Sequence, residues 1–177
     1  MNMMQRGLLL LFMCVCSVMM HAQIVSISTD SLYNRIMSSD ADYRVLYVFH
    51  DACPCTMETL PNILELLKDK KNAELFVVCG HPKVFVEGFV KKNKLDCKYY
   101  SINPKKPKMI DFSNYMNKVF DFFEKRFGVN TKKMGASSFC IVDRQGKVIE
   151  KTTWETTDEE YMRLLSSTVS GKSGCEE

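Results

Sequence analysis

The chain lacks a strong charge of either sign. Its 24 lysines and arginines stand against 21 aspartates and glutamates, a net charge of +3. That balance is too weak to argue for nucleic-acid binding. A long apolar run is missing as well. The stretch from Gly7 to Met20 carries no charge, but it falls short of the roughly 20 apolar residues that span a bilayer. No repeat or low-complexity linker suggests a second domain, and 177 residues suffice for one domain with a real core. A C-x-x-C spacing is absent too: the paired cysteines, Cys53 and Cys55, have only Pro54 between them.

The N-terminus carries a single charge, Arg6, before Asp30. A basic start, an apolar run and a small residue at Ala22 make a secretory signal, expected to span residues 1–22. An uncleaved anchor is the alternative. Neither Met13 before Cys14 nor Val15 before Cys16 is the small residue that lipidation requires, so a lipoprotein is not expected. Removing residues 1–22 takes the basic count from 24 to 23 against 21 acids, a net +2. The lysines at 91, 92 and 94 and at 105, 106 and 108 read as solvated surface. Cleavage leaves cysteines 53, 55, 79, 97, 140 and 175, in an exported setting where disulfides can form. Cys79 and Cys140 lie in apolar strand-like runs and read as buried small hydrophobes. Cys175 lies in a polar tail, 171–177, expected to be disordered.

Between residues 23 and 170 the pattern is that of one domain. A short helix is expected over 30–38, with Asp30 as its N-cap. Arg44 to His50 is continuous, β-branched and aromatic, which marks a buried strand. Pro54 to Lys70 repeats Met57, Leu60, Ile63, Leu64 and Leu67 at the helical period. Pro54 suits the first helical position, because the amide it lacks would be unpaired there, and Cys53 becomes the N-cap. Pro61 falls inside the same helix.

A strand is expected over 74–79 and a helix over 82–92, with Val84, Phe85, Phe89 and Val90 apolar. Another strand is expected over 98–102 and a loop over 103–111. The helix over 112–127 carries Phe112, Met116, Val119, Phe120, Phe123 and Phe127 on one core-facing stripe. Strands over 137–142 and 147–151 flank the turn Asp143-Arg144-Gln145-Gly146, and a helix over 158–167 follows. Strands alternating with helices, then a hairpin and a helix, indicate an α/β domain with a mixed sheet.

A cysteine where a strand hands over to a helix is well placed for thiol chemistry. The thiolate is the reactive species, and the partial positive charge of a helix N-terminus stabilises it.

These residues resemble the thioredoxin-like fold, in the form found in exported bacterial thiol–disulfide oxidoreductases and redoxins. The resemblance covers about residues 40–168. Pro61 lies eight residues after Cys53, as the kinking proline of that family lies after its first cysteine. Phe127-Gly128-Val129 and Ala136-Ser137-Ser138-Phe139-Cys140-Ile141-Val142-Asp143 through Ile149 resemble the family's Y/F-G-V…P-T-T-F-L-I-D-x-x-G-K-I. The resemblance implies a central mixed β-sheet flanked by helices, with a C-terminal hairpin and helix. It places Cys53 at the nucleophile position and Thr56 in the slot of the resolving cysteine. Ala136 and Ser137 fall on the loop that faces the substrate. It implies a protein or small-molecule disulfide or thiol as substrate, no cofactor and no resident metal. A periplasmic or otherwise exported monomer, free of the membrane after signal cleavage, is the expected state.

Four positions depart from the pattern. Cys55 is displaced by one residue from the resolving position. Ala136 replaces the proline whose cis peptide faces the active cysteine, so this peptide is expected to be trans. Ala52 stands where a tryptophan often precedes the nucleophile. Tyr47 stands where thioredoxins proper carry a buried acid.

Thiol–disulfide exchange through Cys53, Cys55 and Thr56 is the leading reading. Alternatives are a non-catalytic thioredoxin-fold binding module, one-cysteine peroxidase chemistry through Cys53 and Thr56, and Cu(I) handling by the C-x-C thiolates. The peroxiredoxin form fails, because His50 stands where it needs Thr or Ser. His50 and His81 are the only histidines after residue 22. His81 could approach the active helix, although a histidine beside a proline reads as exposed.

Overall fold

The computed structural model describes residues 22–51, 53–102 and 112–170. Residues 1–21 of the expected signal, Ala52, the 103–111 loop, the 171–177 tail with Cys175, and the side chains of Phe112, Ser113 and Asn114 lie outside the described residues.

Six strands form one mixed sheet: β1 Gln23–Ser26, β2 Tyr43–Phe49, β3 Ala73–Cys79, β4 Lys98–Ser101, β5 Phe139–Val142 and β6 Val148–Lys151. Their spatial order is β1-β4-β3-β2-β5-β6. The first four are mutually parallel, while β5 and β6 run antiparallel to their neighbours. Among the described residues five helices flank the sheet: α1 Thr29–Met37, α2 Pro54–Leu67, α3 Lys83–Asn93, α4 Phe112–Phe127 and α5 Asp158–Val169. None is long and apolar enough to cross a membrane.

β2 is buried on both faces, which explains its unbroken apolar run. Val45, Tyr47 and Phe49 point to one core, with Leu60, Ile63 and Leu67 of α2, Val86 and Val90 of α3, and Leu165 of α5. Leu46 and Val48 point to the other, with Leu32 and Ile36 of α1 and Val119, Phe122, Phe123 and Phe127 of α4. Each such aliphatic or aromatic side chain contributes about 1.5–3 kcal/mol on full burial.

Several local expectations need correction. Asp30 is not the N-cap of α1. The helix starts one residue earlier, and Ser28 Oγ accepts the Ser31 amide at 3.1 Å. α2 ends at Leu67 rather than Lys70. In α3 it is Val86 and Val90 that turn inward, one helical turn apart, while Val84 and Phe85 are exposed. β5 starts at Phe139, because Ser137 has φ +68°, which no extended strand accommodates. The turn does place Gly146 at φ +83°. β1 carries no sequence signal that separates it from a leader. It is short, and it exists through parallel pairing with β4, Gln23 opposite Lys98. Arg44 is the unforeseen buried charge. Its guanidinium donates to Ile36 O at 3.2 Å and Ser39 O at 2.6 Å, closing the end of α1 onto the sheet.

Candidate active site

The strand order sets the central strand β2 against α2, and the chain passes between them through His50, Asp51 and Cys53. Cys53 is the N-cap of α2, with extended backbone (φ −92°, ψ 118°) and Pro54 at the first helical position. Its amide donates to His50 O at 3.2 Å, and its carbonyl accepts the Thr56 amide at 3.1 Å. The sulfur caps no helix amide. It faces Ser137 Oγ at 3.9 Å, a long sulfur hydrogen bond.

Ser137 is buried and held on both sides. Its amide donates to Val48 O at 2.9 Å, and Val48 N–H donates to Ser138 O at 2.8 Å. Its carbonyl accepts the Tyr161 hydroxyl at 2.5 Å, and the Tyr161 ring stacks edge-on against Phe139. The peptide bonds of the described residues are all trans, including that between Gly135 and Ala136, where the family's cis bond would fall. The loop therefore presents its face to the thiol through the left-handed backbone of Ser137 instead of a cis bond.

Proton counting sets the direction of the hydroxyl chain. Thr56 donates its one hydroxyl proton to His50 O at 3.1 Å, so its oxygen accepts from Ser137 Oγ at 3.0 Å. The Ser137 proton thus has two acceptors within reach, Thr56 Oγ1 and Cys53 Sγ. A thiolate is the stronger acceptor, and rotation about one bond delivers the proton to it. Thr56 lies behind Ser137 and orients it.

Removing that donor is expected to slow alkylation of Cys53 at pH 7. A hydrogen bond to a charged group is worth about 1.5 kcal/mol or more, and 1.4 kcal/mol is tenfold in rate. Ser137→Gly should then separate two properties. Iodoacetamide reactivity falls about tenfold, while the melting temperature rises, because glycine relieves a left-handed conformation costing ~1 kcal/mol or more. Unchanged alkylation in this variant would sink the proposed donor role.

Tyr47 is fully buried, in the place of the expected acid. Thr59 Oγ1 donates to Cys55 O at 2.8 Å and so accepts from Tyr47 OH at 2.9 Å. Burial raises the phenol above its ordinary range, against its hydrogen bonding with the Ser137, Thr59 and Thr56 hydroxyls, which lowers it. Tyr47 is therefore a neutral donor at physiological pH and cannot replace a carboxylate base.

Among the five described cysteines, burial separates reactive from structural thiols. Cys79 and Cys140 are fully buried, and burial drives both far above the ordinary thiol range. Burial pushes Cys97 up to about 12. Cys53 is half-buried and Cys55 exposed. The Cys55 thiol is raised by its hydrogen bond to Cys53 and by the charge there. Cys55 therefore holds its proton more firmly than an isolated cysteine does.

His81 overturns its expected exposure. It is 2% exposed, stacked edge-on against His50 (ring centroids 4.6 Å apart) and Tyr115 (4.8 Å). Its Nδ1 lies 2.8 Å from Asp51 Oδ1, and His50 Nδ1 lies 3.8 Å from the same oxygen. Burial would raise the Asp51 carboxyl, but the hydrogen bond and charge of His81, with help from His50, hold it below its ordinary value. Burial and the neighbouring His81 lower His50, against Asp51. The Asp51 charge is therefore directed to His81. The clue lay in parallel register: Phe49 pairs with Cys79, so the two chains leave the sheet side by side at His50–Asp51 and Gly80–His81.

No protein-family model and no curated protein sequence matches the chain. Solved structures do. A thiol:disulfide interchange protein from Bacteroides sp. is 15% identical, over 80% of this chain and 80% of that one, with a TM-score of 0.52. A secreted disulfide oxidoreductase from Mycobacterium tuberculosis is 12% identical, over 73% of this chain and 81% of that one, with a TM-score of 0.50. At such identities the likeness is one of architecture. The chain has the thioredoxin-like fold, with an atypical C-P-C-T sequence at the start of α2.

Proposed function

We propose that this chain is an exported, periplasmic thiol–disulfide exchange protein acting on protein or small-molecule disulfides through Cys53, with Cys55 as its partner. The observation that carries the reading is the placement of Cys53: half-buried at the N-cap of α2, opposite the Ser137 hydroxyl, with a second thiol two residues on. The two similar structures belong to a thiol:disulfide interchange protein and a disulfide oxidoreductase, which favours the same chemistry.

In the first step Cys53 Sγ attacks one sulfur of the substrate disulfide. A mixed disulfide forms, and the other substrate sulfur leaves as a thiolate that takes up a proton. Cys55 then attacks Cys53 Sγ, and the second substrate thiol leaves. The substrate gains two electrons and the protein holds a Cys53–Cys55 bond. Cysteines two apart close a small ring with restricted torsions, which raises the reduction potential and favours oxidation or isomerisation of substrates. In that direction the same steps run in reverse.

Redox titration of the mature protein in glutathione buffers, with thiol trapping and peptide mapping, tests the pair. The expected result is one two-electron transition that joins Cys53 to Cys55. A protein in which the two never bridge across the titration loses the two-cysteine mechanism.

A further inference from the structure

We infer that His50, Asp51 and His81 form a binding site for a divalent transition-metal ion of the zinc class, built without either active-site thiol. Each residue offers one ligand atom, and these atoms all lie within 4.8 Å of one another. Ligands about 2.0–2.1 Å from a tetrahedral ion lie roughly 3.4 Å apart. Contraction by at most about 1.4 Å at the widest pair therefore reaches bonding geometry. Two imidazoles and one carboxylate are a donor set for zinc or its neighbours in the first transition row, leaving a fourth position for water or an incoming group. Calcium and magnesium would want more oxygens.

The frame is rigid where a ligand needs support and open where an ion needs entry. The His81 carbonyl accepts the Ser101 hydroxyl at 2.6 Å, and its ring is fixed between those of His50 and Tyr115. The His50 carbonyl is held by the Cys53 amide and the Thr56 hydroxyl. The side chains of His50 and Asp51 keep 15% and 17% exposure, so the group meets solvent on one side. The position, past the C-terminal ends of the parallel strands β2 and β3, is where open α/β sheets commonly receive ligands. The 2.8 Å contact between His81 Nδ1 and Asp51 Oδ1 is the bond an ion would replace. A plain hydrogen-bonded pair that merely braces the loop is the competing account.

The test uses tag-free mature protein carrying Cys53→Ser, Cys55→Ser and Cys175→Ser, so that the paired thiols and the tail thiol contribute no ligand. Titration with Co2+ alone, followed by displacement with Zn2+, reads the site by visible absorption. The expected result is one Co2+ per chain, with d–d bands, no sulfur-to-cobalt charge-transfer band, and release by one equivalent of Zn2+. His50→Ala is the principal variant, since that side chain is partly exposed and its loss should spare the fold, checked by circular dichroism. It should weaken Co2+ binding at least tenfold, as should Asp51→Asn. Absence of Co2+ binding in the parent overturns the proposal, and so does parent-like affinity in His50→Ala and Asp51→Asn. Because the reactive thiols are absent, neither outcome bears on disulfide exchange.

Discussion

Cys53→Ser is expected to abolish the proposed disulfide exchange, whereas Cys55→Ser should leave the first attack intact and trap it. That is the largest functional effect expected, and it rests on the unequal settings of the two thiols. Cys53 has the helix N-terminus beneath it and the Ser137 hydroxyl opposite, both of which favour negative charge on sulfur. Cys55 lies inside the helix on its exposed side, with its thiol raised by the neighbouring Cys53. A serine hydroxyl at position 53 stays protonated at neutral pH and does not attack a disulfide. With Cys55→Ser, the rate of the first attack on an aromatic disulfide should change by less than about threefold, or ~0.7 kcal/mol. The product should then persist as a mixed disulfide on Cys53, visible by intact mass. Preferential labelling of Cys55 over Cys53 by the substrate would reverse the assignment of roles. Equal activity of both single variants would remove it.

The largest stability effect is expected at Gly80. A Cβ there would sit 1.8 Å from Tyr115 O and 2.5 Å from its carbonyl carbon. Both are backbone atoms of α4, so no side-chain rotation relieves the clash. The helix must move off the end of β3, taking the Tyr115 ring from His81. Gly80→Ala is therefore expected at or beyond the upper end of ordinary overpacking, about 3 kcal/mol. For a domain of this size that lowers the melting temperature by roughly 6–12 °C. Urea unfolding and thermal melts of the reduced protein check it. A variant melting within a degree or two of the parent would show that α4 does not approach β3 so closely.

How much of this could be read in advance depended on the range of the interactions. Cys53 as N-cap followed from the adjacent Pro54 and from the helical period of Leu60, Ile63 and Leu67, all local signals. The double burial of β2 followed from its composition, since a strand covered on both faces has no polar alternation to hide. Cys79 and Cys140 were recognisable as core for the same reason. β1 could not be recognised, because its only partner in the sheet lies beyond five intervening elements. The burial of His81 depends on α4 packing across the end of β3, and on a glycine whose constraint is visible only once Tyr115 is beside it. Ser137 was placed on the substrate-facing loop by resemblance. Its left-handed backbone was not foreseeable, because serine is a rare occupant of that region and Ala136 removed the familiar proline landmark.

The hydrogen bond from Tyr161 to Ser137 O also fixes the order in which the site can be assembled. Cys53 is made early, at the start of the second described helix, but the turn that faces it is part of the late β5 segment. That turn is anchored by a residue of the final helix. A nascent chain therefore carries its nucleophile without the opposing hydroxyl until the last element has docked. Before α5 docks, the turn opposite the thiol has no anchor, and the site is finished only once Tyr161 holds Ser137.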